Sequence, residues 1–211
     1  PQVRSALLEI ANEVFDFFNV PPKLIEDVRF TGSLANYNYT RYSDIDLHIV
    51  VDFQNISSNT SMVKQLFDSR RVVWNQKHAI MIKGYEVEVY IENLNERHFS
   101  SGVYSVMKEE WVVKPSPEKP KVDMLAVSRK TKQLVGDIES AIATGDKDTL
   151  QRTKEKVKKM RQCGLEKGGE YSVENVAFKF LRRGGYIKKL HDAYIKEYDK
   201  SYSLPEEVLR T

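Results

Sequence analysis

The sequence predicts an α+β protein, with an N-terminal α/β domain over residues 1–113, a proline-rich linker at 114–121 and a helical C-terminal domain over 122–211. Three observations carry this prediction. Apolar and polar residues alternate through DIDLHIVV and YEVEVYIEN, the period of half-buried strands. KPSPEKPK places three prolines in eight residues, which suits neither a helix nor a central strand. Beyond it, only helical spacing of apolar residues is found.

Each element follows from its own residues. Over 3–18, Val3, Leu7, Ile10, Ala11, Val14 and Phe18 recur at helical spacing, and Pro21-Pro22 stops the helix. DVRF reads as a short strand leading into Gly32-Ser33. Ile45, Leu47 and Ile49 then alternate with Asp44, Asp46 and His48, and Val50-Val51 carries that strand toward a buried sheet. Asn59 or Thr60 caps a helix reaching about residue 75, with Met62, Val63, Leu66, Phe67, Val73 and Trp74 as its apolar positions. HAIMIKGYEVEVYIEN reads as a hairpin turning at Lys83-Gly84, and VYSVMKEEWVV adds a strand pair. After the linker come helices over 123–143, over 146–162 with Gly164 as its stop, and over 172–200 with a break at Gly184-Gly185.

Composition sets the class. The chain has 211 residues, 41% hydrophobic and 30% charged, enough to bury a core in one elaborate domain or two small ones. No apolar run is long enough to span a bilayer and no leader pattern opens the chain, so no membrane association is expected and an intracellular, cytoplasmic location is. The single cysteine, Cys163, cannot pair within the chain and is expected to serve in packing. Oligomeric state has no signature. Charge is uneven: residues 1–120 carry 13 Lys/Arg against 16 Asp/Glu, and residues 121–211 carry 20 against 14. An acidic half joined to a basic half suits metal-binding carboxylates that face a polyanion held by Lys and Arg.

The chemistry is concentrated around TGSLANYNYTRYSDIDLHIVV. Residues two apart on a strand share a face, so Asp44 and Asp46 project together while Ile45 and Leu47 anchor the other face. Two carboxylates so close repel unless a cation lies between them, and hard oxygen ligands suit Mg²⁺ or Mn²⁺. Gly32 lets backbone amides approach a phosphate and Ser33 adds a hydroxyl donor, the more so where LANYNY opens a helix with its N-terminus toward the anion. His48 continues the carboxylate face and is expected to hydrogen-bond a neighbour. Tyr37, Tyr39 and Tyr42 are expected to pack, with stacking on a base as the alternative.

Gly32-Ser33, ten residues, then Asp44-Ile45-Asp46-Leu47 resembles the signature of the nucleotidyltransferase superfamily typified by DNA polymerase β. The chain also looks like nucleotidyltransferases of phages. The resemblance covers residues 25–92 and implies a mixed sheet, two Mg²⁺ or Mn²⁺ ions, and transfer of a nucleoside monophosphate from a triphosphate, ATP by preference, to an acceptor hydroxyl. It implies metal ligation and catalysis by Asp44, Asp46 and a third acidic residue on a later strand, and triphosphate binding at Gly32 and Ser33. YEVEVYIEN offers Glu86 and Glu88 for the third carboxylate. Alternation alone does not choose between them, and Glu88 is favoured for its central setting between apolar residues. Thr31 before Gly32 and Leu34-Ala35 after the turn depart from the usual pattern without removing a ligand.

Lys179, Arg182, Arg183, Lys188 and Lys189 form a cationic stretch that suits an RNA acceptor, and Arg182 and Arg183 equally suit the triphosphate. The alternatives are a noncatalytic nucleotide-binding or regulatory protein of the same fold, and transfer to a small molecule, a protein or a second nucleotide.

Overall fold

The structure, a computed structural model, describes residues 1–96, 100–117 and 121–204. The chain divides into two units, Pro1–Lys119 and Pro120–Thr211. Residues 118–120 of the expected linker lie outside the described residues, and 114–117 carry no helix or strand.

The N-terminal unit opens with α1 (Gln2–Phe18), which buries Leu7, Ile10, Ala11, Val14 and Phe18 along one stripe. Val3, expected on that stripe, is exposed in the first turn. The helix closes on Asn19 in the left-handed region (φ 52°), two residues before the proline pair. Then follow β1 (Ile25–Thr31), β2 (Ile45–Val51), α2 (Thr60–Lys77), β3 (Met81–Ile82), β4 (Tyr85–Asn93), β5 (Val103–Ser105) and β6 (Glu110–Val113). They form one mixed sheet in the order β3-β4-β2-β1-β5-β6. Only β2 and β4 run parallel; that pairing requires a crossover, which α2 supplies. Lys83 and Gly84 both have positive φ (54° and 86°), the conformation of a two-residue hairpin turn, so β3 and β4 pair as the sequence predicts.

The two faces of the central strands differ. Ile45, Leu47, Ile49 and Val51 of β2 and Val87, Val89 and Ile91 of β4 pack with α1 and with Val63, Phe67 and Trp74 of α2 into one core. The opposite face carries Asp46, His48, Glu88, Tyr90 and Glu92. Met62, Leu66 and Val73 of α2 were expected to be apolar contacts but are exposed. The helix meets the sheet along the edge bearing residues 63, 67, 71, 74 and 75. On that side the Asn75 amide donates to Val89 O (3.2 Å) and accepts from Val89 N (3.1 Å), capping the length of β4 that the two-residue β3 leaves unpaired.

The C-terminal unit contains α3 (Met124–Thr144), α4 (Lys147–Gly168), α5 (Val173–Arg183) and α6 (Tyr186–Tyr202). Asp123, Asp146 and Ser172 cap the first three by accepting backbone N–H groups. Leu134, Ile138, Ala141, Leu150, Val157, Leu181 and Leu190 form its core. Gly185 (φ 76°) separates α5 from α6. Gly164 does not end a helix as expected. It is buried inside α4, and a Cβ there would lie 2.5 Å from Glu174 Cβ and 2.9 Å from Ser172 Oγ, so the glycine permits close approach of the start of α5. Cys163, one residue earlier, is turned to solvent and is not a packing residue. No helix among the described residues is long and apolar enough to cross a membrane.

Candidate functional site

The polar face of the sheet is organised in rows. Antiparallel β1/β2 and parallel β2/β4 pairing place Thr31, Asp46 and Glu88 in register, then Arg29, His48 and Tyr90, then Asp27, Val50 and Glu92. Residues in register on adjacent strands point to the same face within side-chain reach. Asp46 and Glu88 are therefore neighbours, and Asp44 sits one residue before β2, half-buried, where the loop enters the strand. Glu86 lies opposite Met81 of β3, toward the sheet edge, and is exposed.

Gly32 has a role beyond the expected one. It ends β1 with φ 76°, and a Cβ built on it would lie 1.7 Å from Asp46 Oδ2. Its backbone thus rests directly on the Asp46 carboxylate, a fit no other residue type permits. The Gly32 amide donates to Ser100 Oγ (3.3 Å). Ser33 Oγ donates to Ser43 Oγ (2.7 Å), closing the base of the 32–43 loop. LANYNY does not open a helix; residues 32–38 make successive turns, with Asn36 N bonded to Ser33 O (3.2 Å). Asn and Ser side chains here bond the local backbone and one another, which favours turns over helix. Tyr37, Tyr39 and Tyr42 do not pack as expected: they are 44%, 56% and 50% exposed.

The second and third rows hold the first. Tyr90 OH donates to Glu88 Oε2 (2.7 Å). The Arg71 guanidinium of α2 lies 4.5 Å over the Tyr90 ring, and the His48 ring is 4.9 Å from it. Burial raises the Tyr90 hydroxyl well above the usual phenol range; the Glu88 charge, the hydrogen bond to Glu88 and the Asp46 charge add to this, against Arg71. Tyr90 is therefore a neutral donor at neutral pH. His48 bonds a neighbour, as expected: its Nδ1 is 2.7 Å from Glu92 Oε2. Arg29 joins Glu92 Oε1 (3.5 Å) to buried Asp27 Oδ2 (3.1 Å), and Ser105 Oγ donates to Asp27 Oδ1 (2.6 Å). Side chains of β1, β2, β4 and β5 are thereby tied into one network beneath the carboxylates.

The donor set fits a hard divalent cation in kind. Asp44, Asp46 and Glu88 offer only carboxylate oxygens, two of them on facing positions of adjacent strands. Among the described residues no group of three or more His, Cys, Asp or Glu side chains is arranged to hold a metal ion. Mg²⁺ is commonly bound through one or two carboxylates, with waters and substrate phosphates completing the shell, so the open arrangement is compatible with that ion.

Arg182 and Arg183 lie in the last turn of α5, one turn beyond Lys179, and Lys188 and Lys189 are exposed on α6. They belong to the C-terminal unit, whereas the Gly-Ser turn and the carboxylates are brought together within the N-terminal one. Lys188 Nζ pairs with Asp192 Oδ2 (2.6 Å). Four residues of the site escape the motif: Arg29, Arg71, Tyr90 and Glu92. Tyr90 and Glu92 alternate with Glu88 along one strand and could have been read from it; Arg71 comes from a helix and has no local signal. The chain matches no protein-family model, no curated protein and no solved structure.

Proposed function

We propose that this chain is a metal-dependent nucleotidyltransferase that moves a nucleoside monophosphate from a triphosphate, ATP by preference, to an acceptor hydroxyl on RNA. One observation supports it above the rest: the Gly32 turn rests on Asp46, and Asp46 faces Glu88 across parallel strands. A phosphate-approach turn and a carboxylate cluster are thereby brought to one place. The motif alone implies both features but not their contact.

In this reading Asp44, Asp46 and Glu88 hold Mg²⁺ or Mn²⁺, whose charge, when bound, acidifies the acceptor hydroxyl and offsets charge on the triphosphate. Gly32 and Ser33 receive phosphate oxygens through backbone and hydroxyl donors. Tyr90 fixes the carboxylate plane of Glu88, and the Arg29–Glu92–His48 network fixes the strand positions beneath. The acceptor oxygen forms its bond to the α-phosphorus as the bond to the bridging oxygen of the β-phosphate breaks. Pyrophosphate leaves with the electron pair and the hydroxyl proton passes to solvent. Arg182 and Arg183 of the C-terminal unit contact phosphates of the RNA.

A noncatalytic, nucleotide-binding reading has one observation in its favour, the commitment of Glu88 Oε2 to Tyr90. Incubation with each α-labelled triphosphate, Mg²⁺ or Mn²⁺ and total cellular RNA separates the two. Label in RNA with release of pyrophosphate is the expected result. Nucleotide binding without pyrophosphate release under any combination contradicts the enzyme.

A further inference from the structure

We infer that Tyr37, Tyr39 and Tyr42, with Arg41, form a stacking platform for the bases of the single-stranded acceptor beside the carboxylates. The inference rests on the nucleotidyl-transfer reading for its choice of ligand and on the structure for its geometry.

The loop is pinned at its backbone, and its three rings are exposed. Ala35 and Asn36 are buried, and a Cβ on Gly102 would lie 2.0 Å from Ala35 O, so the loop lies flat on the 100–102 segment. The Asn36 amide donates to Ser101 Oγ, and Ser43 Oγ accepts from Ser33 Oγ (2.7 Å) and Thr40 N (2.9 Å). Out of this frame stand three tyrosines within six residues, each 44–56% exposed. A held frame loses little freedom when a ligand stacks on it, which favours binding by flat aromatic groups.

Charge and position select the ligand. Arg41 is the only charged residue between Thr31 and Ser43, and its guanidinium lies 4.6 Å over the Tyr42 ring. Rings interleaved with a cation suit bases on a phosphate backbone. Tyr42 is two residues from Asp44, at most about 7 Å along the backbone, so the platform adjoins the proposed site of transfer in the chain. The base of one triphosphate occupies one ring, whereas successive nucleotides of a strand occupy several. The spread of three rings along the loop therefore favours the acceptor.

The test is binding of a fluorescent single-stranded RNA 12-mer to the full chain without divalent metal, so that its outcome does not depend on catalysis. Tyr37→Ala with Tyr39→Ala should weaken RNA binding about tenfold or more per ring, while the paired Phe variants, which keep the stacking face, stay near wild type. Affinity for ATP should not change. Loss of ATP affinity in place of RNA affinity would overturn the proposal and assign the rings to the donor base. Unchanged RNA affinity in the Ala variants would overturn it and leave the rings to a protein surface. If the Ala variants lose RNA affinity while wild type releases no pyrophosphate, the platform stands and the transferase reading fails.

Discussion

Replacing Gly32 with alanine would place a methyl carbon 1.7 Å from Asp46 Oδ2 and 2.7 Å from Asp46 Cγ, where contacts under 3.0 Å essentially never occur. Two costs follow. The left-handed backbone (φ 76°) costs a non-glycine residue about 1–2 kcal/mol. The Asp46 carboxylate must also retreat by more than an ångström, and a displacement of that size costs about a hundredfold in rate when the group positions reactants. Gly84 supplies the control, since it too has positive φ (86°), but a Cβ there would meet nothing within 4 Å. Gly84→Ala should show the backbone cost alone. Thermal melts and pyrophosphate release by the full chain measure both effects, at a few °C per kcal/mol for a unit of this size. Gly32→Ala should melt lower and turn over about a hundredfold more slowly, whereas Gly84→Ala should melt lower and keep its rate. Equal activity in the two variants would refute the contact between the turn and Asp46 as the reason for glycine.

Glu88→Gln should lower turnover by orders of magnitude and Glu86→Gln far less, because only Glu88 lies in register with Asp46; the opposite ranking in steady-state kinetics would move the site by one pleat. Tyr90→Phe removes a hydrogen bond to a charged acceptor while keeping the ring under Arg71, so stability should fall by about 1–2 kcal/mol and Mn²⁺ affinity should weaken by calorimetry. Unchanged values for both would mean that the bond does not orient Glu88. Arg182→Gln with Arg183→Gln should reduce the log-log salt slope of RNA binding by about 1 to 1.5 and leave the KM for ATP unchanged; a raised KM for ATP with normal RNA affinity would assign these arginines to the triphosphate.

What the sequence discloses and what it hides divide along the range of the interactions. Strand β2, the Lys83-Gly84 turn and the caps Asn59, Asp123, Asp146 and Ser172 depend on neighbours in the chain, and each is readable from a few residues. Alternation places Asp46 and Glu88 on strand faces, but only pairing brings the two together. Register between β2 and β4 is set by packing across a crossover, which no local pattern records. The same limit hides Arg29, which spans from β1 to Glu92 on β4, and Arg71, which reaches Tyr90 from a helix. Glycines mislead for a related reason. Gly164 looks like a helix stop and Gly32 like a phosphate turn only, because what requires each glycine is a side chain beyond the next loop. The tyrosines of the 32–43 loop were expected to pack because aromatic residues usually do; nothing in their spacing shows that the loop leaves them exposed.

Pyrophosphate release measured side by side for wild type and Asp46→Asn, with melting temperatures taken without divalent metal, tests most directly whether these carboxylates form a site of nucleotidyl transfer. Wild type should release pyrophosphate with Mg²⁺ or Mn²⁺, and Asp46→Asn should release none. Removal of one of two neighbouring like charges should leave the melting temperature unchanged or slightly higher. An Asp46→Asn chain that melts clearly lower yet transfers nucleotide at the wild-type rate would show the aspartate to be structural, in contradiction to the proposed site.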